Sequence, residues 1–365
     1  MAKEYVIDIQ GQPTRYSDKV RTLPMYFAEP EQGAEGHTGI LLLIAGYGGH
    51  GMSNVYQKMR KVFADQYDLI TVQCDYLGSR YMGHDQHMEI TEDMLRKALS
   101  PREFHALRRD YAANRHILAE KVLSAYIPLD ENADDYNEMG LGQAMDNLMA
   151  VKVLMDIIQE NGISYNANRV YIYGQSHGAY LGYLCNYLAP GLFTGIIDNS
   201  AYLLPYFLNH DRKITKVGEN LTLQKCYHYL VSDQDLDSGS YDLRKLYENY
   251  QNQAQIIVYH GAEDEMISLE EKQAFLDTLS NVSLHVVTGD MVDGELFHST
   301  GHSLGADLLK LFDVAVCELE KSVTEKSRFV FQNRKFRTER YLYEVDWQSG
   351  IPLLHCSDLF KKNEE

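Results

Sequence analysis

Six short apolar runs punctuate the chain, and each stops at a turn. Residues 40–44 run into Gly46-Tyr47-Gly48-Gly49, 69–72 into Asp75-Tyr76-Leu77-Gly78, and 170–173 into Gly174. Residues 195–197 run into Asp198-Asn199-Ser200, 256–259 into His260-Gly261, and 284–287 into Thr288-Gly289. Short runs that are apolar at consecutive positions predict strands buried on both faces, as in a parallel sheet covered by helices. Between them the period lengthens. Over 143–159, Ala144, Leu148, Val151, Leu154, Met155 and Ile158 share one helical stripe; Leu304, Leu308, Leu311, Val314 and Ala315 do the same over 303–319. Ser268 with Glu271 forms a capping-box pattern that opens a helix reaching roughly to Leu279. Strand, turn and helix in alternation predict an α/β fold with a mainly parallel central sheet flanked by helices.

Two long segments break the alternation, 83–139 and 201–253. The first is charged and predicts helix over 91–99 and 102–124; the second concentrates tyrosine (Tyr202, Tyr206, Tyr227, Tyr229, Tyr241). Structureless loops of that size are improbable inside a compact domain. Both segments are therefore read as helical cap insertions on the same edge of the sheet, together forming a lid. The tyrosines serve packing first; over a pocket they would stack on a sugar or an aromatic acyl group. Segment 4–29 alternates as antiparallel edge strands would, and 327–365, with the one tryptophan Trp347, predicts an appended strand or hairpin. The organisation expected is one domain over 1–320 carrying the two caps, with a C-terminal extension, 321–365, packed on it.

Composition narrows the classes. The 365 residues are 45% hydrophobic and 24% charged, which is ordinary for a globular chain and sets aside disordered and collagen-like proteins. With 52 acidic against 34 basic residues the formal charge is −18. That field repels a polyanion, so nucleic acid is not expected as a partner. The basic clusters Arg108-Arg109 and Arg334-Lys335-Phe336-Arg337 read as solvated faces. Five dispersed cysteines (Cys74, Cys185, Cys226, Cys317, Cys356) with no C-x-x-C pair suggest neither a disulfide framework nor a zinc site. The N-terminus lacks the apolar run of a signal peptide, and no stretch approaches a membrane span. A cytoplasmic protein without a membrane partner is expected; homo-oligomerisation stays open.

The candidate chemistry sits at the ends of the apolar runs. Gly174-Gln175-Ser176-His177-Gly178 is a G-x-S-x-G sequence placed after a strand and before the apolar helix 179–188, the strand–turn–helix setting this motif needs. A serine on so tight a turn requires small neighbours two residues away, and the helix N-terminus behind it favours developing negative charge. A hydroxyl is a weak nucleophile; it needs a base, and the base needs an orienting carboxylate. Asp264 follows the strand at 256–259, with Asp198 and Glu263 as rival acids. His302, just before a predicted helix, is the favoured base, with His298 the alternative. The oxyanion needs preorganised N–H donors. One is expected from His177, directly after the serine, and the second from the glycine-rich turn, at Tyr47 or Gly48. Gly46, Gly48 and Tyr76 are expected to meet the substrate. His84-Asp85-Gln86-His87 has no third ligand spaced to complete a metal site and reads as a polar cap loop.

On these motifs, residues 39–319 resemble the α/β-hydrolase superfamily of serine hydrolases. The carriers are Gly46-Tyr47-Gly48-Gly49, Gly174 through Gly178, His260-Gly261 with Asp264, and Gly301-His302. In one departure, many esterases open the oxyanion turn with histidine, whereas this chain has Ala45. The chain also resembles a bacterial hydrolase-like family of unassigned function associated with flagellin-glycosylation loci. That likeness rests on Asn137-Glu138-Met139-Gly140 with Gln143-Ala144 and Asp146, and on Ser299-Thr300-Gly301-His302 with Ala306-Asp307. The first resemblance implies acyl-transfer hydrolysis by Ser176, His302 and Asp264, with a small-molecule acyl substrate and no metal or organic cofactor. The second implies an acyl-sugar ester. An oligopeptidase-like amidase would use the same triad, and a non-catalytic binding module could keep the fold alone.

Overall fold

The computed structural model describes residues 1–83, 90–119, 121–208, 212–218, 221–234, 236–322, 329–348 and 350–360. The chain divides into two compact units. The larger comprises Met1–Met82, Ala133–Pro205 and Asp237–Glu365; the smaller comprises Gly83–Asn132 and Tyr206–Leu236.

Among the described residues, the larger unit is built on an eight-stranded sheet: β1 (Lys3–Gly11), β2 (Arg21–Glu29), β3 (Gly39–Ile44), β4 (Leu69–Cys74), β5 (Val170–Gln175), β6 (Gly195–Asn199), β7 (Gln255–Gly261) and β8 (Val282–Val287). Its spatial order is β1-β2-β4-β3-β5-β6-β7-β8. Strand β2 runs antiparallel to both of its neighbours, and every pairing from β4 through β8 is parallel. The mainly parallel sheet and the antiparallel edge follow the sequence expectation.

Consecutive apolar residues are needed because both faces of the sheet are covered. Leu42, Ile172, Ile196 and Val258 pack with Leu148, Val151 and Leu154 of the helix Leu141–Glu160 and with Leu181 and Leu184 of the helix His177–Leu188. Leu41, Leu43, Tyr171, Tyr173, Ile197 and Ile257 face the other way, onto Met59 and Phe63 of the helix Asn54–Tyr67 and Leu311, Phe312 and Ala315 of the helix Leu308–Ser322. Alternation along each strand thus builds two cores with one sheet between them. The C-terminal strands Arg334–Arg337, Tyr341–Asp346 and Leu353–Asp358 form a small antiparallel sheet, and Tyr341, Tyr343, Val345 and Trp347 join the first of those cores.

The smaller unit differs from the all-helical insertions expected. Helices Glu92–Ala98 and Pro101–Arg109 form, the second opened by a capping box between Ser100 and Glu103. Helix does not run on to residue 124. Asp110 is extended and, after short turns of helix, Val122–Ile127 is a strand, exposed and buried in near alternation. It pairs in parallel with Leu221–Tyr227, which pairs antiparallel with Arg212–Gly218. Leu99, Phe104, Leu107 and Leu118 give this unit a core of its own. The unit is also narrower than the two predicted insertions, since 133–139, 201–205 and 237–253 belong to the larger one. No helix among the described residues is long and apolar enough to cross a membrane, and all five cysteines are free.

Candidate active site

Between the end of β5 and the helix His177–Leu188 only Ser176 intervenes. The chain makes that reversal by holding Ser176 at φ 52°, ψ −116°, a sparsely populated conformation for a non-glycine residue. It costs on the order of 1–3 kcal/mol and persists only where the surroundings enforce it. They do so here. Ser176 N–H donates to Asn199 O at 2.7 Å, and Tyr180 N–H donates to Ser176 O at 3.0 Å. Both flanking glycines are demanded by space: a Cβ on Gly174 would stand 2.4 Å from Ala179 N, and one on Gly178 would stand 2.1 Å from Ile44 O.

The structure brings Ser176, His302 and Asp264 together. Ser176 Oγ lies 2.7 Å from His302 Nε2, and His302 Nδ1 lies 2.9 Å from Asp264 Oδ2 and 3.1 Å from Oδ1. With Nδ1–H donating to the carboxylate, Nε2 offers its lone pair to the serine hydroxyl. The Asp264 side chain is fully buried, and its Oδ1 also accepts the N–H groups of Met266 at 2.8 Å and Ile267 at 3.3 Å. Burial alone would push this carboxyl up; the bond to and charge of His302, the Met266 N–H and nearby His260 outweigh it and hold Asp264 below the usual carboxylate range.

The loops that carry acid and imidazole are fastened to each other. Glu263 N–H donates to Thr300 O at 3.0 Å, and a Cβ on Gly261 would stand 2.1 Å from that same oxygen. Beyond His302 the backbone passes through three left-handed residues, Ser303 (φ 65°), Leu304 (φ 61°) and Gly305 (φ 54°). Leu304 is buried, and its carbonyl accepts from His298 and Ser299 N–H. This left-handed run is why the helix expected from 303 starts instead at Leu308. There Asp307 Oδ1 accepts the N–H groups of Leu309 and Lys310.

The rivals are placed elsewhere. His298 is exposed, and Glu263 accepts a hydrogen bond from the Thr300 hydroxyl. Asp198 is buried against Lys272 Nζ at 2.7 Å and the Tyr183 hydroxyl at 2.9 Å. His84-Asp85-Gln86-His87 lies outside the described residues; among those described, no group of three or more His, Cys, Asp or Glu side chains is placed to hold a metal ion.

The glycine-rich turn packs directly on the serine turn. A Cβ on Gly46 would stand 2.7 Å from Gln175 O, so only glycine permits that approach. Gly49 N–H closes the turn on Gly46 O at 2.9 Å, and Gly48 takes φ 84° at its third position, where glycine is favoured. Around it, the Tyr56 hydroxyl accepts from Gly46 N–H at 3.1 Å, and Gly51 is held by Asp75 on its N–H and by Arg60 on its carbonyl. Tyr76 was expected to meet substrate. It is instead buried, with its hydroxyl donating to Ala45 O at 2.9 Å, and so braces the turn. Of the two residues whose N–H groups were expected to face an oxyanion, Tyr47 lies in the glycine-rich turn and His177 opens its helix, where backbone N–H groups point outward along the axis.

Two residues that the sequence analysis named only as motif positions turn out to neighbour the site. His260 is buried, with Nδ1 3.8 Å from Asp264 Oδ2. Gln143, read as the start of a helix and as part of a family resemblance but given no place at the site, is fully buried beside His177. The available signal was the polar set Gln143, Asp146 and Asn147, spaced i, i+3, i+4 on a stretch otherwise apolar enough to be core.

Residues 110–231 match the model of a family described as proteins of unknown function (DUF2920). A search of curated proteins finds no match. Among solved structures, the chain is similar to a dipeptidyl aminopeptidase IV candidate from Bacteroides ovatus, with a TM-score of 0.50 and 10% identity, over 88% of this chain and 36% of that one. It is also similar to Est1E from Butyrivibrio proteoclasticus, solved with ferulic acid bound (TM-score 0.46, 14% identity, 82% of this chain and 95% of that one). A third is a cold-adapted esterase from an Arctic intertidal metagenomic library (TM-score 0.45, 13% identity, 88% of this chain and 95% of that one). At such identities the likeness is one of fold.

Proposed function

We propose, from the α/β-hydrolase fold that this chain has, that it is a serine hydrolase cleaving a small acyl ester through an acyl-enzyme. The observation that carries the reading is the unbroken line from Ser176 Oγ through both nitrogens of His302 to the buried Asp264 carboxylate. Ser176 Oγ attacks the ester carbonyl while His302 Nε2 takes its proton. The carbonyl oxygen becomes an oxyanion facing the N–H groups of Tyr47 and His177, each such donor being worth about 3–4 kcal/mol of barrier in comparable sites. His302 then returns the proton to the leaving alkoxide, which departs as the alcohol. Water repeats the sequence on the acyl-enzyme, losing its proton to His302, and Ser176 is restored as the acid product leaves. Asp264 keeps one imidazole tautomer and stabilises the imidazolium in both halves. These steps call on no metal and no organic cofactor.

An ester suits this machinery because an alcohol leaves with less protonation than an amine. The resemblance through Asn137-Glu138-Met139-Gly140 favours an acylated sugar among esters. The test is labelling with a fluorophosphonate probe, followed by turnover of acyl esters, acetylated sugars and peptide anilides. Labelling at Ser176 with ester turnover supports the reading. No labelling overturns it in favour of a binding module, and preferential anilide cleavage overturns the ester assignment.

A further inference from the structure

His177 directly follows Ser176, and in the proposed reaction its ring transfers no proton. It is fully buried. Burying an imidazole is costly unless its nitrogens find partners, and both do. Nε2 lies 2.6 Å from Gln143 Oε1, and Nδ1 meets the Tyr202 hydroxyl. The Gln143 amide is oriented by its own donors, Nε2 giving to Leu77 O at 2.8 Å and Asn137 Oδ1 at 3.0 Å. Its Oε1 is therefore the acceptor. His177 Nε2 carries the ring proton, and Nδ1 accepts from Tyr202.

These bonds gather the parts from which an oxyanion site is made. Leu77 follows Tyr76, whose hydroxyl holds Ala45 O at the root of the glycine-rich turn. Leu77 N–H is fixed by Asp146 Oδ2 at 2.7 Å, on the same helix as Gln143. Tyr202 lies three residues beyond Asn199, whose carbonyl holds Ser176 N–H, and its ring stacks on Tyr180 with centroids 5.0 Å apart. An apolar side chain at 177 could fill the space with no polar partners. What the bonds add is a fixed orientation for the residue bearing one oxyanion donor. We infer that Gln143 and Tyr202 are positioning residues, clamping the His177 ring from both sides so that its backbone N–H is held against the developing oxyanion. This rests on the reaction proposed for Ser176.

The experiment first labels the wild-type protein with a fluorophosphonate. If Ser176 does not react, the parent reading falls and the clamp falls with it. If it reacts, Gln143→Leu and Tyr202→Phe are compared with wild type for kcat, KM and affinity for an alkyl boronic acid, a mimic of the tetrahedral adduct. Each substitution is expected to lower kcat by roughly tenfold or more, less than the ~10²–10³ lost when a donor is removed outright. KM should stay within about twofold, as for an interaction made only in the transition state. Boronate affinity should fall in step with kcat/KM, and the double variant should lose less than the product of the single effects, because both act on one ring. A purely structural role predicts lower melting temperature with unchanged kcat and boronate affinity in the folded protein; that result overturns the clamp while leaving Ser176 in place. Tyr202→Phe removes a single oxygen and carries the test alone if Gln143→Leu does not fold.

Discussion

Lys272 Nζ stands 2.7 Å from Asp198 Oδ2, with both side chains fully buried. The lysine also donates to Ala201 O, and the carboxylate also accepts from the Tyr183 hydroxyl and Ala201 N–H. With its bonds made, Asp198 has a structural task and is not the carboxylate beside His302. Removing one partner leaves the other charge buried and uncompensated. Lys272→Met and Asp198→Asn should therefore each destabilise by about 3–5 kcal/mol in urea unfolding, and the double change to Met and Leu should recover much of that loss. A Lys272→Met protein within about 1 kcal/mol of wild type would mean the pair is not buried as described.

The choice between the two histidines makes the second prediction. His302→Ala should lower kcat by a factor on the order of 10⁶ and Asp264→Asn by about 10⁴, the losses typical of a base and its orienting acid. His298→Ala should stay within a few-fold of wild type, since its exposed ring has no part in the line to Ser176. Circular dichroism would establish that each variant folds. Near-normal turnover in His302→Ala, with loss in His298→Ala, would reverse the assignment.

Why the grouping of Ser176, His302 and Asp264 was legible and that of the residues around it was not has a physical basis. Ser176, Asp264 and His302 each follow an apolar run, so reading where strands stop also reads where loops present side chains. Gly174 and Gly178 announce a turn too tight for a Cβ. The late start of the helix at Leu308 was hidden because Ser303 and Leu304 adopt left-handed backbone, for which neither residue type is a marker. The strand Val122–Ile127 was absorbed into a predicted helix because the charges of 102–109 set a helical period that Asp110 ends without a proline or glycine. Gln143, His177 and Tyr202 meet across wide separations in sequence. Periodicity reports which face a residue lies on, and is silent about its partner there.

Acid should weaken the fold in two stages, and the sign follows from the shifts. Burial, and then the Lys272 charge, depress the His260 imidazole below 6.5. The unfolded chain therefore protonates His260 first. Its stabilising contribution is complete above about 6.5 and is lost as pH falls through the folded value. Asp264, held below its ordinary 3.8, contributes above that value and loses the contribution at still lower pH. Urea unfolding between pH 7.5 and 5 should show falling stability in wild type and a flatter dependence in His260→Gln; identical slopes would remove His260 from the account. General-base catalysis requires the base unprotonated, so turnover should also decline on acidification, and a profile flat down to about pH 4 would rule out a histidine base.

The turn at Ser176 tolerates no added methyl group, which gives a test of geometry independent of turnover. A Cβ on Gly178 would lie 2.1 Å from Ile44 O and 2.8 Å from Ala45 O. Both are backbone atoms, and Ile44 ends the strand whose register with β5 runs from Ile40 opposite Val170 to Ile44 opposite Gly174. Neither can withdraw without parting the sheet where the glycine-rich turn meets the serine. Gly178→Ala should therefore cost about 3 kcal/mol or more and abolish fluorophosphonate labelling, because strain at this site displaces Ser176 and the glycine-rich turn together. Gly36→Ala is the control: its Cβ would meet only Ser164 Cβ, at 3.8 Å, and stability should change by no more than about 0.5 kcal/mol. A Gly178→Ala protein that melts with wild type and labels at the wild-type rate would show that the serine turn is not packed against β3.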